Sequence, residues 1–338
     1  MSVFALRLKP RTIHKFVEQN KRSCSIPCNL CGFQNVEELS LVDREQQYLR
    51  TVICKECGLV WTDPRPVDVR HFYEKAYRIH YKRTSIPKLK HIYRAGKAAK
   101  NQFSTIKNFL HDNAMIVDVG SGGGEFVYLL TKLGYDARGI EPNHGYATYS
   151  IKEYGLKVDV GFVQDIEVEN NTCNTITMFH VLEHTEEPFQ ILSYLRKWLK
   201  PGGHVVIEIP NVEAVCQAPG HRFHVAHLYY FNRKTLELLG RKAGYTVQEV
   251  SVSEDGGNIL MIFQKSDQHI PLQDAKIPGN YQRICHIIRT HTNFAHYTSL
   301  YPYFRPMKRL YRAIDEWRAI KAFSTGKQIL DAMYSLDT

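Results

Sequence analysis

From residue 115 to 264, short apolar runs alternate with segments in which apolar residues recur at helical spacing. Met115 to Val119 is a continuous run of the kind found in a fully buried strand. Glu125 to Lys132 has helical spacing and stops at Gly134. The alternation repeats. Asp136 to Ile140 is strand-like, His144 to Tyr154 helical and ended by Gly155, and Leu156 to Val163 strand-like. Asn174 to Phe179 predicts a fourth strand. Phe189 to Leu199 predicts a helix stopped by Lys200-Pro-Gly-Gly203, and His204 to Ile209 a fifth strand. A helix over Lys234 to Lys242, closed by Gly244, leads to Thr246 to Val252 and Asn258 to Gln264. These two are close enough to pair as a hairpin through Glu254 to Gly257. Strands alternating with helices imply a doubly wound α/β, Rossmann-like sheet, here seven-stranded with an antiparallel last strand.

The flanks have other patterns. Ahead of the alternation, Ile92, Ala95, Ala99, Phe103, Ile106 and Leu110 recur at helical spacing and predict a leader helix over Lys88 to Leu110. Beyond about Ser266 the alternation breaks. Tyr281 to Thr290 is compatible with a helix. Met307 to Phe323 places Leu310, Ile314 and Trp317 on one face, a packing or dimer element more readily than a membrane anchor. The expected divisions are a basic tail over 1–24, a ribbon over 25–66, a basic linker and leader helix over 67–112, the α/β domain over 113–266 and a C-terminal helical extension over 267–338.

Cysteine spacing defines the ribbon. Four of the eight cysteines form two C-x-x-C pairs, Cys28/Cys31 and Cys54/Cys57, each followed by Gly. Two such knuckles let four thiolates meet at tetrahedral geometry, and Gly permits the turn after each second Cys. The 22 residues between the pairs suffice for a small hairpin, with Leu49 to Ile53 as one strand. The spacing predicts zinc held by Cys28, Cys31, Cys54 and Cys57. The role is structural, because four protein ligands leave no open position. A redox pair lacks the surrounding βαβ pattern, and a disulfide framework is out of keeping with a cytosolic chain of this size.

The chain of 338 residues has 44 basic and 34 acidic residues, a net charge of +10. From Arg65 to Lys107 there are 12 Lys/Arg against two acids, a stretch that could attract nucleic acid, anionic lipid or a phosphorylated substrate, or be a solvated face. No apolar run is long enough to span a bilayer, and the N-terminus lacks the features of a secretory signal. The expected location is therefore cytoplasmic.

The candidate chemistry clusters at strand ends. Asp118-Val-Gly120-Ser121-Gly122-Gly-Gly124 lies between the first strand and first helix of the alternation, where glycines let backbone approach a ligand. Dinucleotide enzymes use a similar turn. Glu141 falls just past the second strand, where an acid can bind both ribose hydroxyls. Gln164-Asp165-Ile166 ends the third strand, a position suited to an adenine amino group. The fourth strand ends in His180-Val-Leu-Glu-His184.

In combination, these runs over about Met115 to Asn211 resemble the class I S-adenosylmethionine-dependent methyltransferases. The resemblance implies that Asp118, Gly120 and Gly122, with Ser121 in the same turn, contact the methionyl part of the cofactor. Glu141 would bind the ribose, Asp165 and Ile166 the adenine, and His180 would lie beside the sulfonium. Upstream, C-N-L-C-G and C-K-E-C-G-L-V-W-T-D-P-R-P resemble the zinc-ribbon methyltransferases of glycan and natural-product biosynthesis. The matching downstream segment is His224-Val-Ala-His-Leu-Tyr-Tyr-Phe231. Sugar C-methyltransferases of this kind carry Glu where Ala226 stands, and a larger C-terminal domain. Both departures favour oxygen or nitrogen methylation over carbon.

Methyl transfer needs an aligned nucleophile and, where a proton leaves, a base. His227 is the first candidate base, followed by His224 and His184; each could instead be a structural His bonded to backbone. Glu183 and His184 also resemble a metal-binding segment of ubiquinone-pathway O-methyltransferases, but that pattern begins with Glu where His180 stands, which favours reading them as helix-start polar residues that line the pocket. The expected acceptor is a small molecule, glycan or nucleotide-sugar. Two alternatives remain open. One is an RNA methyltransferase whose ribbon and basic stretch hold phosphates. The other is a non-enzymatic cofactor-binding interaction protein. A homodimer also remains open.

Overall fold

The computed structural model describes residues 26–65, 86–267 and 275–335. The basic tail, Cys24 and the 66–85 part of the basic stretch lie outside the described residues.

The ribbon contains β1 (Val36–Val42), β2 (Tyr48–Cys54) and β3 (Val60–Thr62). β1 and β2 form an antiparallel hairpin and β3 adds to β2. The outer edge of β3 pairs with β9 (Tyr229–Tyr230), Val60 opposite Tyr230 and Trp61 opposite Tyr229. A strand from the His-rich segment thus completes the ribbon sheet.

The large sheet is built from β4 (Met115–Val119), β5 (Asp136–Glu141), β6 (Lys157–Val160), β7 (Cys173–Phe179), β8 (Leu199–Pro210), β10 (Tyr245–Val252) and β11 (Asn258–Lys265). Their order is β10-β11-β8-β7-β4-β5-β6. β4 to β8 run parallel. β10 and β11 form the expected antiparallel hairpin, and β11 inserts between β10 and β8, antiparallel to both. This is the expected doubly wound sheet of seven strands with an antiparallel edge.

The leader helix, α1, spans Leu89–Ile106, and a single 3-10 turn takes up Lys107–Phe109. The helices of the alternation are α2 (Glu125–Lys132), α3 (His144–Tyr154), α4 (Pro188–Trp198) and α5 (Arg233–Lys242). The C-terminal extension contains α6 (Asn280–Thr290), α7 (Asn293–Thr298), α8 (Tyr301–Ile320) and α9 (Gly326–Tyr334). The third strand is shorter than its apolar run: β6 ends at Val160, and Val163–Asp165 turns as a 3-10 helix.

Strand periodicity divides the core. Val205, Ile207 and Ile209 of β8 face one side, packing with Leu192 and Leu195 of α4, Leu236 and Leu239 of α5, and the ribbon's Trp61. Val206 faces the other, with Ile92 and Ala99 of α1, Val127 of α2 and Leu330 of α9. The ribbon therefore shares a core with one face of the sheet. Gly96 of α1 allows close packing, since a Cβ there would lie 2.7 Å from a methyl of Leu330.

Candidate active site

The four cysteines of the ribbon converge. Cys28 and Cys57 sulfurs are 3.5 Å apart, Cys31 and Cys54 3.4 Å, and all four lie within 4.8 Å of one another, buried. Tetrahedral Zn–S bonds of about 2.3 Å place sulfurs about 3.8 Å apart, so the set fits such an ion. The two knuckles match. Gly32 N–H donates to the Cys28 carbonyl and Gly58 N–H to that of Cys54, with φ near +78° at both glycines.

A cavity of about 540 Å³ opens at the C-terminal edge of the parallel strands. The glycine turn forms its floor. Gly120 and Ser121 N–H both donate to the Ile140 carbonyl, which ties the turn to β5. Gly120 has φ +77°, and a Cβ there would come within 2.4 Å of Val181. Gly124 has φ +83° and caps α2. The turn thus presents backbone rather than side chain to a ligand.

Two buried acids flank the turn. Glu141 accepts from Gly122 N–H at 2.8 Å with one carboxylate oxygen and from Asn143 N–H at 2.9 Å with the other. Asp118 accepts from the Thr177 hydroxyl at 2.6 Å. Burial pushes the Asp118 carboxyl up to about 7, against the Thr177 hydrogen bond and with help from Glu141 and Glu125. A cationic group of a ligand entering here would restore its charge.

At the end of β7, His180 adopts φ +57°, a left-handed conformation uncommon outside glycine, and its N–H donates to the Glu208 carbonyl. Its ring lies 3.5 Å from Glu183 and 3.6 Å from Glu208. Desolvation opposes charge on this imidazole, yet the two carboxylates outweigh it and hold its pKa up to about 10.

The candidate bases separate by position. His184 and His227 line the cavity, ring centroids 5.0 Å apart. The His184 Nδ1 lies 2.8 Å from the Ala226 carbonyl. A carbonyl only accepts, so Nδ1 carries a proton, and Nε2 lies 3.8 Å from a Glu183 oxygen. Burial pushes the His227 pKa well below 6.5, and His184, His224, His180 and Arg44 add to the effect, so its imidazole is neutral. Glu183, His184 and His227 bring ligating atoms within 4.8 Å of one another. His224 does not reach the cavity wall. It is buried behind His227, and its Nδ1 accepts from Ala226 N–H at 3.1 Å.

Asp118, Gly120, Ser121, Gly122, Glu141 and His180 all line the one cavity. Asp165 and Ile166 do not; Phe162, Val163 and Gln164 take that wall. The early end of β6 and the 3-10 turn shift the contact upstream, and the Ile166 carbonyl is used by the Tyr194 hydroxyl. His91, Ala95, Ala98 and Gln102 of α1 also line the cavity, which helical spacing alone did not indicate. The available signal was the small residues on a helix face that otherwise reads as core.

Residues 90–250 match the family model described as a methyltransferase domain. Ubiquinone biosynthesis O-methyltransferase of Aliivibrio fischeri is 29% identical over 116 residues, which cover 31% of this chain and 50% of the relative. Phosphoethanolamine N-methyltransferase 3 of Arabidopsis thaliana is 27% identical over 160 residues, 44% of this chain and 32% of the relative. The chain therefore spans half or less of the length of these curated relatives. A solved SAM-dependent methyltransferase from Thermotoga maritima aligns at TM-score 0.45 and 20% identity, covering 59% of this chain and 100% of its own. The strand order, the glycine turn and the family match together make residues 90–250 an S-adenosylmethionine-dependent methyltransferase domain.

Proposed function

We propose that this protein transfers a methyl group to a small-molecule or glycan-type acceptor, at oxygen or nitrogen, with His227 as the base. The observation that carries this is the single cavity joining the Asp118 turn to the His184/His227 pair. When bound, S-adenosylmethionine supplies an electrophilic methyl group on a sulfonium. Asp118 and the backbone of Gly120 to Gly122 would hold its methionyl end and Glu141 its ribose, while Gln164 and Val163 would flank the adenine. The neutral His227 imidazole can take the proton of an O–H or N–H acceptor as the new bond forms. His184, held by the Ala226 carbonyl, orients the edge of His227. The four-cysteine cluster suits a structural zinc, which would fix the ribbon against β9.

The test supplies labelled S-adenosylmethionine and a fractionated extract to the full chain. The expected result is label in a low-molecular-weight or glycan fraction, lost with His227→Ala. Label found only in RNA would instead favour the nucleic-acid reading, and no cofactor binding by calorimetry would sink methyl transfer altogether.

A further inference from the structure

The C-terminal extension turns an apolar face away from the protein. In α8, Phe304, Met307, Leu310, Tyr311, Ile314 and Trp317 fall on one side at helical spacing. Leu310 is 64% exposed, Met307 69% and Tyr311 76%. The acids of the same helix face inward. Glu316 accepts from Arg94 of α1 at 2.6 Å, and Asp315 accepts from Lys97 at 2.9 Å and from the Tyr93 hydroxyl at 3.1 Å. An amphipathic helix of a globular protein ordinarily buries its apolar stripe and solvates its acids. α8 does the reverse.

Charge narrows what could cover this stripe. Residues 306–321 hold five bases and two acids, and both acids are engaged by α1. The outward charge is therefore positive. Lys308 flanks the stripe, and Arg318 and Lys321 close its C-terminal end, with Lys321 over the Trp317 ring. A second copy would bring the same bases against each other. No helix among the described residues is long and apolar enough to cross a membrane. A long helix with aromatic and aliphatic residues on one face, bases at its margins and no capacity to span is built for an interface.

We propose that α8 docks the protein on an anionic lipid surface, lying in the plane of the interface. Its stripe enters the boundary of the acyl chains while Lys308, Arg318 and Lys321 meet headgroup phosphates. The other side of α1, to which α8 is tied, walls the cavity through His91, Ala95, Ala98 and Gln102. A docked α8 therefore holds the methyltransferase domain at the lipid surface.

The chain carries its own reporter. Trp61 and Trp198 are buried at 1% exposure, whereas Trp317 is 59% exposed. The full chain is mixed with vesicles of equal parts phosphatidylcholine and phosphatidylglycerol, and separately with phosphatidylcholine alone. With anionic vesicles, the protein is expected to co-sediment and its fluorescence to shift to the blue. Trp317→Phe should abolish the shift. Leu310→Asp with Ile314→Asp should abolish co-sedimentation while leaving cofactor binding intact. Lys308→Glu with Arg318→Glu should weaken vesicle binding by about 30-fold or more. Failure to co-sediment, or equal binding to both vesicle types, would overturn the proposal. So would a dimer that Leu310→Asp dissociates in a protein indifferent to vesicles, which would assign the stripe to a second copy.

Discussion

The Thr62 hydroxyl of the ribbon donates to the backbone carbonyl of His227 at 3.1 Å, and Thr62 N–H donates to the carbonyl of Leu228 at 3.0 Å. Leu228 N–H in turn donates to the carbonyl of Glu183, in the 3-10 turn that follows β7. The ribbon and the sheet thus hold the His-bearing segment from two sides. The ribbon is part of the framework that places the candidate base.

Removing the ion proposed for the ribbon should therefore act at the cavity. The expected content is about one zinc per chain. Chelation, or Cys57→Ser, should abolish turnover while cofactor affinity falls far less, because Asp118 and Glu141 rest on the sheet. Metal analysis, calorimetry and a turnover assay on the same sample check this. Full turnover of a zinc-free protein would disprove the link.

Asp118 gives a pH dependence. Its carboxyl rises from 3.8 to about 7 in the folded protein, so between these values the fold holds a proton that the unfolded chain has released. Holding that proton makes the cofactor-free protein less stable as pH rises from about 4 to 7. A cationic ligand that requires the carboxylate should bind more tightly as pH passes 7. Calorimetry from pH 6 to 8 should show that increase in the wild type and not in Asp118→Asn. At pH 8 the variant should bind about ten-fold or more weakly than the wild type, and the gap should narrow toward pH 6. A pH-independent wild-type affinity would count against the assignment.

His227→Ala should retain cofactor binding and lose about 100-fold or more in turnover. Because burial holds this imidazole well below 6.5, turnover should not decline through protonation of His227 between pH 8 and 6.5. His224→Ala should act through stability instead, since its ring supports Ala226 N–H and lies off the cavity. A thermal melt set beside the turnover assay separates the two.

Gly120→Ala should cost about 1–3 kcal/mol in stability from the left-handed backbone alone. The added methyl would also meet Val181 at 2.4 Å and push the turn out of shape. Cofactor binding should be lost before the fold is, as read by calorimetry and a thermal melt. Gly134→Ala, where a Cβ meets nothing within 4 Å, should keep wild-type affinity.

The periodicity of residues 115 to 264 determined the strands and helices of the sheet, because strands buried on both faces read as unbroken apolar runs. The glycine turn, Glu141 and the four cysteines were legible for a related reason: their chemistry depends on short-range spacing. The Asp165 and Ile166 expectation rested on β6 reaching Val163, and a 3-10 turn that no local pattern announced moved the wall to Gln164. Tertiary structure alone decided that β11 inserts beside β8 and that β9 completes the ribbon. It also decided that α1 walls the cavity with Ala95 and Ala98, and that His227 rather than His224 lines it. Each of these depends on pairing between segments far apart in the chain. Hydrophobic spacing records which face of an element is buried, and carries no record of the element that buries it. α8 shows the same limit: its apolar face was visible in the sequence, and only the fold revealed that it points outward.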